Sequence, residues 1–308
     1  MNINYPGLDD FLLAALKEDI GTGDVTSNCC IDDGAVSSGD FIAKEPGVIC
    51  GLDIVARVFK LLDESVLITT YADDGCTVSA GGVITGDVVT GGVSADDINA
   101  GGISAGGISA SGVIAKITGP TKSILSGERT ALNLLQHMSG IATATAEAVS
   151  AISGTSAKIT DTRKTTPGMR TLEKYAVRCG GGSNHRFNLS DGVLIKDNHI
   201  VSAGSISRAI ALARAKCPHT LKVEVEAETL AQVKEAVEAG ADIIMLDNMP
   251  VDMMADAVRI IDGRALTEAS GNMGERDLKT VAETGVDYIS IGALTHSVKA
   301  MDISLRFK

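Results

Sequence analysis

Between residues 9 and 19 (DDFLLAALKED) apolar positions recur at helical spacing between acidic ends, and GTGDVTS then breaks the pattern. From about 26 to 78 short β-like runs, FIAK and VLITTY, flank one amphipathic stretch around DIVARVFKLL. This texture predicts a small mixed α/β domain. Residues 80–112 read differently, with a Gly-Gly-Val/Ile unit restarting at 81, 91, 101 and 106. They predict a structural insertion without a catalytic role, built either of short strands and tight turns or as a solvated glycine-rich loop. No Lys-Ser/Thr pair and no helical pattern follow these glycines, which argues against a phosphate-cradling loop.

After 126 the run SGERTALNLLQHMSGIATATAEAVSAI predicts one long helix, with Gly140 a candidate bend. β-rich runs then appear at 157–160, 193–196, 221–226, 242–246, 264–270 and 287–292, and helical patterns at 204–216, 228–239, 251–260 and 274–284 separate most of them. Such alternation implies parallel βα units, hence an α/β barrel or a doubly wound sheet. Six strands are few for an eight-stranded barrel, so an incomplete or irregular one is expected.

Composition narrows the function classes. The 308 residues hold 27 Lys+Arg against 39 Asp+Glu, a formal net charge of -12, which argues against binding nucleic acid or anionic membranes through bulk charge. No run approaches eighteen apolar residues, and MNINYPGLDD lacks the basic-then-apolar character of a secretory signal, so a cytoplasmic protein is expected. The six cysteines, at 29, 30, 50, 76, 179 and 217, form no CxxC pair and have no zinc-like His spacing. They are read as reduced, mostly buried thiols.

Functional groups of βα architectures sit just beyond the C-terminal ends of the strands. Those positions carry Asp161-Thr162-Arg163-Lys164, Lys196-Asp197-Asn198-His199, Glu226, Asp247-Asn248, Ser270-Gly271-Asn272 and Gly292-Ala293-Leu294. Residues 161–200 hold seven basic and four acidic residues, a basic island of +3 in a chain that is otherwise -15. Guanidinium forks match carboxylate and phosphate oxygens, so the island points to an anionic small molecule. Arg163, Lys164 and Lys196, at strand ends, are favoured for that role. Arg170, Lys174 and Arg178, at helical spacing, read better as partners of acids on a helix surface. Glu226 and Asp247 could hold a divalent cation or could cap the following helices. The late Ser-Gly-Asn and Gly-Ala-Leu turns suit a phosphate, or plain turn chemistry. His185, beside Arg186, could line the anionic site; His199 is the second candidate, with a structural hydrogen bond as its alternative. His137 reads as packed in its helix, His219 as a loop residue and His296 as surface. No Ser-His-Asp or Cys-His set can be assembled.

These motifs resemble the quinolinate phosphoribosyltransferase family, also called nicotinate-nucleotide pyrophosphorylase (carboxylating). The matching segments are EDIGTGDVTS (18–27), SGERTALNLLQHMSGIAT (126–143), the long block from DTRKTTPGMR to DGVLIKDNHI (161–200), VEVE (223–226), MLDNM (245–249), SGN (270–272) and ISIGAL (289–294). The resemblance spans the chain apart from about 82–112, where some thirty extra residues intervene.

The resemblance implies an N-terminal open-faced α/β sandwich packed on an irregular, incomplete α/β barrel, with segments at 1–125, 126–294 and a returning 295–308. It implies transfer of a phosphoribosyl group from phosphoribosyl pyrophosphate to quinolinate, with decarboxylation. By resemblance, Arg163, His185, Arg186 and Lys196 bind quinolinate together with Arg129 from the neighbouring subunit of a homodimer. Thr162, Lys164, Glu226 and Asp247 match positions around ribose, pyrophosphate and Mg2+. Ser270, Gly271, Asn272, Ile291, Gly292 and Ala293 match the 5'-phosphate site. The competing readings are a phosphoribosyltransferase-like paralogue of molybdenum-transport operons, a non-catalytic phosphate-ligand sensor, and a Schiff-base aldolase using Lys196. The joint presence of Arg129, Arg163, His185-Arg186 and Lys196 favours the quinolinate enzyme.

Overall fold

A computed structural model describes residue 3 and residues 5–78, 84–85 and 112–308. Apart from 84–85 and 112, the predicted glycine-rich insertion lies outside the described residues. They form two compact units, one of residues 1–144, 171–181 and 298–308, the other of 145–170 and 182–297. The predicted division at 125/126 falls inside one helix, whereas the first unit boundary lies at 144/145.

The first unit opens with α1 (Leu8–Ile20), which buries Leu8, Leu12 and Leu16, every fourth residue of one face. The GTGDVTS break contains a short helix that apolar spacing did not reveal, α2 (Val25–Cys30), started when the Asp24 carboxylate accepts the Ser27 N–H at 3.0 Å. Then follow β1 (Val36–Ala43), β2 (Gly47–Val48), α3 (Leu52–Leu62), β3 (Leu67–Thr70), β4 (Thr77–Val78), β5 (Ile84–Thr85), β6 (Val113–Pro120) and α4 (Thr121–Ala151). α3 buries Leu52, Ile54, Val55, Val58 and Phe59, and it packs against α1 and β3. α4 starts five residues before its predicted position, directly where Pro120 ends the strand. Within it, Gly140 answers a close approach: a Cβ there would lie 2.2 Å from the Lys299 carbonyl oxygen. With β7–β12 in the second unit, the last strand is β13 (Ile303–Phe307). The main sheet of this unit is antiparallel with order β13-β1-β6-β3, and β2-β4-β5 form a small second sheet.

The segment 171–181 brings most of α5 (Arg170–Cys179) into this unit. The expectation of surface cations holds for Arg178, which is exposed, and fails at Lys174. Glu173 is 0% and Lys174 3% exposed, and Glu173 meets His137 Nε2 at 3.0 Å. The expectation of mostly buried cysteines also fails: only Cys50 and Cys76 are buried, while Cys29 and Cys30 end the short, exposed α2. Cys50 and Cys179 gather with Asp74, whose carboxylate accepts the Gly51 and Leu52 N–H groups and the Tyr175 hydroxyl.

The second unit is a six-stranded, wholly parallel sheet: β7 (Lys158–Thr160), β8 (Val193–Ile195), β9 (Val223–Ala227), β10 (Ile243–Asp247), β11 (Leu266–Ser270) and β12 (Tyr288–Ser290). Its order is β7-β12-β11-β10-β9-β8, with no pairing between β7 and β8 among the described residues, so the expected irregular, incomplete barrel is what forms. α6 (Asp197–Ala203) and α7 (Ile206–Lys216) connect β8 to β9, while α8 (Leu230–Glu238), α9 (Val251–Ile261) and α10 (Leu278–Ala282) make the later crossovers. Alternation along the strands sorts the side chains. In VEVEA, Val223, Val225 and Ala227 are buried apolar residues, whereas Glu224 and Glu226 line cavities. Register stacks the cavity residues in layers: Glu224 beside Ile243 and Leu266, then Glu226 beside Met245, Glu268 and Tyr288, then Asp247 beside Ser270. Among the described residues no helix is long and apolar enough to cross a membrane.

Candidate active site

Two cavities occupy the parallel unit. The upper one, about 480 Å³, lies at the C-terminal ends of the strands and is lined by Thr162, Arg163, Lys164, His185, Arg186, Lys196, Glu226, Asp247, Ser270, Gly271 and Asn272. Eleven of the fifteen residues singled out from the sequence therefore meet in one place. Leu194, Met245, Asn248, Glu268 and Ser290 complete the lining. The lower cavity, about 370 Å³, opens among the strand beginnings and is lined by Asp191, Lys222, Glu224, Ile243, Leu266 and Tyr288 among others. His185, Arg186 and Glu268 line both cavities, so they partition the barrel interior.

The remaining predicted residues stand elsewhere. Arg129 is exposed on α4 in the first unit and is not among the residues lining either cavity. Ile291 is 3% exposed and packed, while Gly292 and Ala293 begin α11 (Ala293–His296), a single turn that also lies outside the lining. Gly292 has a packing reason to lack a side chain, since a Cβ would meet Lys164 Cδ at 3.0 Å. Gly271 is required more strictly. It has φ +96° and a Cβ would fall 2.7 Å from the Asn248 backbone nitrogen, while Asn248 and Asn272 both adopt left-handed conformations.

The cationic wall is held by local hydrogen bonds. Arg170 ties the turn together by donating to Thr165 Oγ1 at 2.9 Å, to the Phe187 carbonyl at 3.2 Å and to the Arg163 carbonyl at 3.4 Å. This is a turn-bracing role rather than the helix-surface pairing expected of it. Asp161, fully buried, accepts the His185 N–H at 2.8 Å and the Asn184 amide at 2.6 Å, fixing the loop that carries His185. Arg186 donates to the Gly192 carbonyl at 2.9 Å; burial and the adjacent Arg163 charge hold its guanidinium below the ordinary value. Arg163 Nε is buried without a partner. Lys196 Nζ meets Glu226 Oε2 at 2.6 Å. His199 accepts the Lys196 N–H through Nδ1 at 3.0 Å, so it takes the structural alternative.

Sequence reading missed the acids beneath this wall. His185 Nε2 lies 3.2 Å from Glu224 Oε2 and 3.5 Å from Glu268 Oε2, and both carboxylates are nearly inaccessible. His185 Nδ1 accepts the Arg186 N–H at 2.7 Å, so the ring proton resides on Nε2, facing the acids. Burial first, then the neighbouring Glu224 charge, pushes the Glu268 carboxyl up to about 7. Oε1 of both glutamates has no hydrogen-bond partner. The signal was present as polar residues inside VEVE and LTEAS. Only strand register shows that they stack inward.

Mg2+ is compatible with this donor set if substrate oxygens complete its shell. Glu226 and Asp247 face the upper cavity as hard oxygen donors, yet they belong to no cluster of three ligand groups among the described residues.

Comparison with known proteins gives the family and the fold. Residues 141–306 match the family described as quinolinate phosphoribosyl transferase, C-terminal domain, and residues 24–95 and 96–139 match its N-terminal domain. The chain is 43% identical over 303 residues to a Bacillus subtilis protein named probable nicotinate-nucleotide pyrophosphorylase (carboxylating), covering 98% of this chain and 94% of that one. A Mycobacterium leprae relative named nicotinate-nucleotide pyrophosphorylase (carboxylating) is 39% identical over 305 residues, with 96% and 95% covered. Among solved structures, the nicotinate-nucleotide pyrophosphorylase from Francisella tularensis superposes with a TM-score of 0.86 at 37% identity, covering 100% of this chain and 99% of that one.

Proposed function

The chain belongs to the quinolinate phosphoribosyltransferase family, and from that premise we propose how its own residues carry out the family reaction. The enzyme makes nicotinate mononucleotide for NAD biosynthesis by joining quinolinate to the phosphoribosyl group of phosphoribosyl pyrophosphate. The observation that carries the residue assignment is the convergence of Arg163, His185, Arg186 and Lys196 with Lys164, Glu226, Asp247 and the Ser270–Asn272 turn on one cavity.

Arg163, Arg186 and Lys196 bind the two ring carboxylates of quinolinate, and His185 packs beside them. The Ser270–Asn272 turn, kept open by Gly271, receives the 5'-phosphate through backbone N–H groups. Lys164 offsets negative charge as pyrophosphate departs. Glu226 and Asp247 are the residues that would hold Mg2+, which when bound neutralises charge on the pyrophosphate. The pyridine nitrogen attacks the anomeric carbon opposite the leaving group and carries no proton, so no general base is needed for this step. The resulting pyridinium is an electron sink that lets the 2-carboxylate leave as carbon dioxide. Catalysis of bond formation is then largely positioning and electrostatics.

Arg129 completes the site from the second subunit of a homodimer, a reading supported by its exposure on α4 and its absence from the cavity lining. The enzyme works in the cytoplasm. The test is incubation of the purified protein with quinolinate, phosphoribosyl pyrophosphate and magnesium, following nicotinate mononucleotide by mass spectrometry with nicotinate as parallel substrate. Product from quinolinate alone is expected; no product from folded protein that binds phosphoribosyl pyrophosphate would favour the molybdenum-operon paralogue. For the shared site, Arg129→Ala and Lys196→Ala proteins, each inactive, regain activity when mixed. Demonstrated heterodimers without recovery would sink that claim.

A further inference from the structure

The reaction leaves one atom unaccounted for. When the 2-carboxylate departs, the C2–carboxylate bond breaks, its electron pair stays on C2, and C2 must then take a proton. We propose that the Glu268 carboxyl is the general acid that supplies this proton. The inference rests on the functional reading above and deepens it.

The other groups of the upper cavity are occupied in ways that unfit them. Glu226 is engaged by the Lys196 ammonium at 2.6 Å. Asp247 already accepts the Asn248 amide at 2.6 Å and lies in the strand-end layer beside Ser270, at the phosphate turn. Arg163, Arg186, Lys164 and Lys196 are needed as fixed cations. His185 has one ring proton, on Nε2, and that proton faces Glu224 and Glu268 rather than the cation wall. Glu224 lines only the lower cavity.

Glu268 differs from all of these. Its side chain is 4% exposed, it lines the upper cavity with the quinolinate cations, and its Oε1 has no partner. A neutral carboxyl is also what this place tolerates, because a carboxylate would repel the dianionic substrate. The groups facing it are Asp161 and Arg163 after β7, His185 and Arg186 on the loop before β8, Glu224 and Glu226 on β9, and Tyr288 and Ser290 on β12. Burial first, then the Glu224 charge and least of all that of Asp161, favour its protonated form against the opposing pull of His185 and Ser290, which leaves the carboxyl near 7.

In the step, the Glu268 O–H bond breaks, C2 takes the proton, and carbon dioxide leaves as a neutral molecule. The new carboxylate is received by the His185 Nε2–H and regains a proton from water before the next turnover. His185 is thus a positioning residue for the acid.

The test compares wild type, Glu268→Gln and Glu268→Asp between pH 5 and 9 with quinolinate, phosphoribosyl pyrophosphate and magnesium. In the wild type kcat falls as pH rises through about 7. In Glu268→Gln kcat drops about a hundredfold, that limb of the profile disappears, and quinolinate affinity stays within twofold. The product mixture then contains mononucleotide that still carries both carboxylates, seen by mass spectrometry. Glu268→Asp recovers part of kcat and the limb, which separates loss of the acid from loss of the fold. Wild-type kcat and an unaltered pH profile in Glu268→Gln would overturn the inference alone. A wild-type protein that makes no nicotinate mononucleotide would instead overturn the reading beneath it, and the inference with it.

Discussion

The two units differ in how completely they satisfy the charged side chains they bury. In the first, Asp74 is enclosed by three donors, and Glu173, with no exposed surface, meets the ring of His137. In the second, Arg163 Nε, Glu224 Oε1 and Glu268 Oε1 are buried without partners. Among the described residues only Ser304 Oγ, in the first unit, shares that condition. A buried polar atom left unpaired costs about 1–3 kcal/mol, so a fold retains such atoms where something other than stability selects them. The contrast separates charges that hold the scaffold from charges kept for a ligand.

The sharpest way to break that contrast is Arg186→Ala. Quinolinate affinity is expected to fall roughly a hundredfold, about 3 kcal/mol, with little change for phosphoribosyl pyrophosphate and no fall in Tm, because a like charge beside Arg163 is removed. Equal losses for both ligands in calorimetric titrations would contradict the assignment. Asp74→Ala should do the reverse. It strands two helix-terminal N–H groups and the Tyr175 hydroxyl, so denaturant unfolding should report a loss of about 2 kcal/mol while KM for quinolinate is unchanged. A KM change as large as the stability change would place Asp74 among the ligand-directed charges.

The smallest effect concerns stability against pH. The folded-state value of Glu268, about 7, lies above the ordinary 4.5, so the folded protein favours its neutral form. Its ionisation therefore withdraws stability as pH rises from about 4.5 to 7, and the penalty is complete above 7. Glu268→Gln should consequently unfold at a higher temperature than wild type at pH 8, by on the order of 1–2 kcal/mol, with the gain vanishing below pH 4.5. A variant less stable than wild type at pH 8 would assign Glu268 to the scaffold.

Much of this arrangement could be read from residue order alone. The six strands of the parallel unit were marked by short β-branched runs, and strand ends located the cation wall because parallel units place their reactive groups there. Three things were not legible. α2 starts from a single side-chain cap, too short for hydrophobic periodicity to register. Arg170 and Lys174 look like surface helix residues until the neighbouring turn and the buried Glu173 are seen around them. Glu224 and Glu268, 44 positions apart, meet at His185 only through inter-strand register, which no local pattern encodes.

The path of the chain carries a last consequence. It passes between the units at 144/145, 170/171, 181/182 and 297/298, and the excursion through 171–181 joins the turn bearing Arg163 to the loop bearing Arg186. Neither unit is therefore a contiguous stretch of gene. Any segment that carries the cation wall to a new scaffold must run from before Arg163 to beyond Lys196, and so takes residues 171–181 of the first unit with it.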